Sequence, residues 1–214
     1  MWDGFIEWLR QRRRQPKVPP VVMTPDNIEL TPMQRYAQEF MAACDRTERL
    51  GMALSPLRLV VNKDCVDLST LAPVLQFYFG RYRQEEMVGQ AFAINTSLIP
   101  LLLDKVGIPF TLTMGWFDDH GKRPYEHGEE LIEKLLKRES DTALMQGLPL
   151  HVWLTSPAFE VLDVTLPTTL AQVSQNPKLA GGILYLSNQN PAPEILYHPT
   201  IMGEEFLVKI GAAI

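Results

Sequence analysis

His151 and Asp163 are the two side chains whose types and spacing best fit the handling of one proton. His151 opens the strand-like stretch His151-Val152-Trp153-Leu154, and Asp163 lies in the next one, Leu162-Asp163-Val164-Thr165. Ser156-Pro157-Ala158-Phe159 supplies a tight turn between them. On antiparallel neighbours a carboxylate can fix an imidazole in one tautomer and stabilise its protonated form. Such a pair can take a proton from a reacting group and return it. A His-x-Trp strand alone is usually core, so the pair gains meaning from what stands upstream. There, Val88-Gly89-Gln90-Ala91-Phe92-Ala93-Ile94-Asn95 opens a helix that is apolar almost all round, and Gly107-Ile108-Pro109 closes it. A helix start carries unsatisfied N–H groups and the positive end of the helix dipole, so it lowers the pKa of a thiol placed there and can hold an oxyanion.

The order of these fragments resembles the papain-like superfamily of cysteine enzymes. Its transglutaminase branch has a Gly-x-Cys at the start of a central helix, then a Gly-Ile-Pro, a His-x-Trp strand and an Asp-x-Thr strand. The arylamine acetyltransferases show a similar Gly-x-Cys-Phe with an asparagine three residues after the phenylalanine, and a strand ending in Asp-Val. The resemblance covers residues 85 to 166. It implies an α+β fold, papain-like or transglutaminase-like, with a helical N-terminal half and a central buried helix packed on an antiparallel sheet. It also implies cysteine-dependent acyl transfer, by amide hydrolysis, deamidation or transglutamination, through a Cys-His-Asp triad. His151 is then the general base, Asp163 its orienting carboxylate, and Ala91 stands at the nucleophile position. Alanine has no nucleophile, so the chain as written is inactive in this reading. Either a cysteine was replaced by Ala91, which the intact His151, Asp163 and helix start favour, or the chain is a natural pseudoenzyme or binding protein that holds a peptide or protein partner in the cleft. The substrate expected is a protein or peptide bearing a carboxamide, and no cofactor is expected.

Around this core, Gln90 is a candidate for the oxyanion hole, Asn95 for orienting substrate one turn below Ala91, and Trp116 and Trp153 for lining an acyl pocket; each also has an ordinary structural reading. The chain has two cysteines, Cys44 and Cys65. Cys65 is a rival nucleophile because Lys63 favours a thiolate, but Asp64 and Asp67 oppose ionisation. Cys44 reads as a buried helix residue. His120, His127 and His198 have no metal-ligand spacing, so no metal is expected.

The elements that must position these residues follow from pattern. Trp2, Phe5, Ile6, Trp8 and Leu9 form one stripe, followed by Arg10, Arg12, Arg13, Arg14 and Lys17, which predicts an N-terminal basic amphipathic helix that packs on its own domain or docks a partner. With the proline-rich connector after it, this makes a region of residues 1–30, ahead of a catalytic domain over 31–214. Thr31-Pro32 starts a helix towards Leu50. A second helix is predicted over Leu68 to Arg83, its regular part delayed by Pro73, and the central helix runs from Gln90 to Val106 with a kink at Pro100. Strands are predicted at Phe110–Trp116, Leu150–Thr155, Glu160–Thr165, Gly182–Ser187 and Ile195–His198. Helices are predicted at Glu129–Arg138 and Thr168–Ser174, and a turn at Asp118-Asp119-His120-Gly121.

A net charge of -5 gives no electrostatic basis for binding nucleic acid. No apolar run approaches the roughly 20 residues of a membrane span, and the N-terminus lacks the order of a signal peptide. With two cysteines and no disulfide framework, the expectation is a cytoplasmic protein, with export by a specialised secretion system as the alternative.

Overall fold

The structure is a computed structural model that describes residues 30–55, 57, 59, 65–80, 90–137, 148–173, 175, 180–189 and 195–212. The expected N-terminal helix and connector, and Lys63, Asp64, Val88 and Gly89, lie outside these residues.

Helix α1 (Pro32–Arg49) begins where Thr31-Pro32 predicts. Thr31 Oγ1 accepts from the Gln34 amide at 3.2 Å while Gln34 Oε1 accepts from the Thr31 amide at 2.9 Å, a reciprocal cap that satisfies two leading donors. Tyr36, Ala37, Phe40, Met41 and Cys44 then fall on one buried stripe. Helix α2 (Leu68–Phe79) is capped by Asp67, whose carboxylate accepts from the Ser69 amide at 3.0 Å and from the Ser69 and Thr70 hydroxyls. Those bonds hold the first turn, so α2 starts at Leu68 with Pro73 inside it, instead of starting later as Pro73 predicts. It ends at Phe79 with Gly80 as its C-cap, short of the expected Arg83. Helix α3 (Ala91–Val106) carries Pro100 inside and stops at Gly107, whose φ of 74° is the left-handed cap conformation that glycine adopts without strain.

Strand β1 (Thr111–Asp119) follows, then helix α4 (Glu129–Lys137), β2 (His151–Thr155), β3 (Val161–Asp163), helix α5 (Leu166–Val173), β4 (Leu184–Leu186), β5 (Ile195–Met202) and a short helix α6 (Glu205–Lys209). Several boundaries differ from the pattern, and β4 is shorter than the expected Gly182–Ser187. β1 runs on to Asp119 because β5 pairs with it from Thr113 to Asp119. β5 itself reaches Met202, past the expected end at His198. β3 stops at Asp163 because that carboxylate accepts from the Thr165 and Leu166 amides and starts α5 two residues earlier than predicted.

The sheet is antiparallel throughout, in the order β4-β3-β2-β1-β5, so the chain is α+β. Alternation along β2 divides its side chains between two cores. Val152 and Leu154 join Met114, Leu162, Ile94, Leu98 and Leu102 beneath α3. Trp153 joins Phe117, Tyr197, Tyr36 and Phe40 beneath α1. β1 bulges between Met114 and Gly115. A Cβ at Gly115 would lie 2.1 Å from the His198 carbonyl oxygen, so β5 can approach only a glycine there.

Candidate active site

β2 and β3 pair in the register Leu154↔Leu162 and Thr155↔Val161. Continued, that register sets Trp153 opposite Asp163 and leaves His151, at the start of β2, level with Thr165 just past the end of β3. Both His151 and Asp163 project to the α1 side, where His151 Nε2 lies 2.5 Å from Asp163 Oδ2. His151 is 6% exposed and Asp163 is fully buried. The carboxylate also accepts from Tyr197 Oη at 2.8 Å, from the Thr165 amide at 3.0 Å and hydroxyl at 3.3 Å, and from the Leu166 amide at 2.9 Å. Burial alone would raise its pKa. The His151 charge and hydrogen bond, with the two backbone amides, outweigh burial and hold the carboxyl below the usual carboxylate value. The Tyr197 phenol moves the opposite way: burial first, then the Asp163 charge and the bond to it, raise it well above the ordinary tyrosine value. Tyr197 therefore stays a protonated donor to Asp163.

Aromatic rings wall the imidazole. Phe117 meets it edge-on at 5.1 Å between centroids, Trp153 stacks at 5.8 Å and Tyr125 at 6.3 Å. Trp153 is anchored in turn, its indole N–H donating to Tyr36 Oη at 2.8 Å, and that hydroxyl meets Thr155 Oγ1 at 2.6 Å. With Nε2 committed to Asp163, Nδ1 is the nitrogen left to take a proton from a reacting group, and it makes no hydrogen bond among the described residues.

The other expected site residues sit elsewhere. Ala91 is the first residue of α3 and packs against the core beneath that helix, on the face of β2 opposite the imidazole. Gln90 is the N-cap of α3, makes no side-chain cap bond and is exposed. Asn95 is fully buried and donates from Nδ2 to the Ala91 carbonyl at 2.8 Å. No hydrogen bond or ring contact joins these three to the His151 cluster among the described residues. Trp116 stacks on His198 at 3.9 Å, with the Arg123 guanidinium 5.8 Å from its ring centroid, and His198 pairs with Glu39 at 2.8 Å. Trp153 is the one expected pocket residue in ring contact with His151.

The surroundings of Cys65 disfavour its thiolate. Its Sγ lies 3.0 Å from Glu160 Oε2 and 3.5 Å from Ser156 Oγ, and burial, then the bond to Glu160, push the thiol up to about 11. Cys44 is buried in the core beneath α1. Among the described residues no group of His, Cys, Asp and Glu could hold a metal ion.

Sequence reasoning missed Tyr197 and Glu160. Tyr197 adjoins His198, and only the β1–β5 register brings it to Asp163. Glu160 is fully buried; Oε1 accepts from the Cys65 and Val66 amides at 3.1 Å and from Tyr185 Oη at 2.6 Å, and Oε2 bonds the Ser156 hydroxyl. Its position just before an apolar strand carried no sign of this. Compared with models of protein families, with curated proteins and with solved structures, the chain matches none.

Proposed function

We propose that this fold carries the base half of a cysteine-dependent acyl-transfer site of the papain-like, transglutaminase-like kind, with Ala91 at the nucleophile position. The observation that carries the reading is the buried His151–Asp163 pair, whose carboxylate is fixed by four further hydrogen bonds and leaves Nδ1 as the working nitrogen. A cysteine at position 91 would sit in the first turn of α3, where no side chain competes for the leading amides.

Chain lengths bear on how near the two can come. The 16 residues of α3 span about 24 Å at ~1.5 Å per residue. β1 starts four residues beyond its end and takes roughly 13 Å to reach Gly115 at ~3.3 Å per residue. α3 packs on β1 and β2, and with β1 returning along it the helix start comes roughly 11 Å past the level of Gly115 and His151.

The chemistry would then run as follows. His151 Nδ1 takes the thiol proton, and the thiolate attacks the carbonyl carbon of a glutaminyl or peptide carboxamide. The leading amides of α3 hold the oxyanion, and the leaving amine takes the proton back from His151. Water or an acceptor amine resolves the thioester. In the chain as written the first of these steps has no nucleophile.

The opposite-face placement of Ala91 and the imidazole favours a second reading, a natural pseudoenzyme that binds a peptide in the cleft without turnover. Ala91→Cys labelled with a thiol-reactive electrophile across pH, read by intact mass and peptide mapping, separates the two. Fast labelling at position 91 below neutral pH that disappears with His151→Ala supports acyl transfer. Labelling no faster than at Cys65 removes it and leaves the binding protein.

A further inference from the structure

Three buried side-chain atoms among the described residues lack a hydrogen-bond partner: Asn95 Oδ1, Thr96 Oγ1 and His127 Nε2. Thr96 can turn its hydroxyl to the carbonyl of its own preceding turn. His127 lies in the exposed connection between β1 and α4, with Nδ1 bonded to the Tyr125 carbonyl at 2.6 Å. Asn95 has neither outlet. It is fully buried, its Nδ2 is committed to the Ala91 carbonyl, and its Oδ1 meets no donor among the described residues. An orphaned buried acceptor disfavours the folded state, so an asparagine here stands out against the leucines and isoleucines that line the rest of this helix face.

Residues four apart on a helix have their Cβ atoms about 5–6 Å apart. Helical side chains lean towards the N-terminus, and the Asn95 amide already reaches the Ala91 carbonyl at 2.8 Å, so a Sγ or Oγ on residue 91 would be added close to the Asn95 Oδ1. Alanine supplies neither atom. We propose that Asn95 is the positioning residue of position 91: its Oδ1 is the acceptor for a thiol or hydroxyl donor one turn above, and Ala91 leaves that acceptor unfilled. The inference rests on position 91 being the nucleophile position. It adds that the nucleophile's resting rotamer is held from within its own helix, with the proton pointing at Asn95 until His151 takes it.

The test is a double-mutant cycle on the full chain, with Ala91→Ser, Asn95→Leu and the two combined, followed by urea unfolding. Ala91→Ser is expected to raise the folded-to-unfolded ratio by about five-fold more with Asn95 present than on top of Asn95→Leu. Equal effects in the two backgrounds overturn the proposal. Where Asn95→Leu does not fold, Ala93→Ser in the same first turn is the control, because the residue four positions below it is Ser97 and not an orphaned acceptor. Ala91→Ser should then leave the chain at least five-fold more stable than Ala93→Ser, and equal stabilities overturn the proposal. The labelling of Ala91→Cys reports separately on acyl transfer. Coupling without His151-dependent labelling supports the role of Asn95 and removes the enzyme reading. Labelling without coupling does the reverse.

Discussion

Replacing Asp163 by asparagine tests most directly how the candidate site and the fold depend on each other. The carboxylate is fully buried and accepts five hydrogen bonds, three of them to Oδ1 and two to Oδ2. An amide can present only one oxygen. If that oxygen keeps the Thr165 and Leu166 amides, the NH2 group is forced against Tyr197 Oη and His151 Nε2, and the reverse flip faces it with the two backbone N–H groups. Either way at least one buried donor loses its acceptor, at ~1–3 kcal/mol, and the imidazole loses its counter-charge. Breaking a buried pair from one side costs ~3–5 kcal/mol, so Asp163→Asn is expected to lower unfolding free energy by about 4 kcal/mol near pH 7. The pH dependence follows from the lowered carboxyl. A depressed folded-state pKa gives stability that is fully present above the unfolded value of about 3.9 and is lost as pH falls through the folded value. The gap between the parent chain and Asp163→Asn should therefore narrow as pH drops below about 4. Urea unfolding followed by circular dichroism at several pH values measures both. A loss under 1 kcal/mol at pH 7, or a gap unchanged from pH 7 to pH 2.5, would refute the electrostatic account.

Other outcomes can be checked alongside. Tyr197→Phe removes one donor from Asp163 Oδ2 and should cost about 1–2 kcal/mol in urea unfolding; no measurable loss would mean the phenol is bystander packing. Glu160→Gln removes the carboxylate that helps push the Cys65 thiol up, so thiol labelling at pH 8 should quicken several-fold at that residue. An unchanged rate would place the cause in burial alone. Gly115→Ala should cost more than 2 kcal/mol, read as a fall in thermal midpoint, because its methyl would overlap the His198 carbonyl. A neutral outcome would mean β5 can move away from the bulge.

The fold class and much of the element order could be read from residue pattern because the signals are local. Thr31-Pro32 starts α1, Gly107-Ile108-Pro109 ends α3, and the alternation of β2 and β3 places His151 and Asp163 on adjacent strands. What stayed hidden depends on register. Nothing near Tyr197 or Glu160 in sequence points to a buried carboxylate network, since their partners lie far along the chain. Trp116 and Trp153 read alike as aromatic residues on strands, yet a bulge and a change of neighbour send one to His198 and the other to His151. The face on which α3 lies was likewise invisible, because a helix apolar almost all round has no single stripe to orient it.

Asp163 also joins two elements: it ends β3, and through the Thr165 and Leu166 amides it starts α5. A carboxylate with that duty is not released when chemistry is abandoned. Selection for a folded chain would preserve Asp163, and His151 with it as the partner of a buried charge, in any descendant that no longer turned over substrate. The thiol at a helix start has no such tie, so it would be the first of the three to drift. An intact His151–Asp163 pair in a chain with Ala91 would therefore follow from natural decay of the proposed site as readily as from a deliberate cysteine replacement, because the fold by itself keeps the pair.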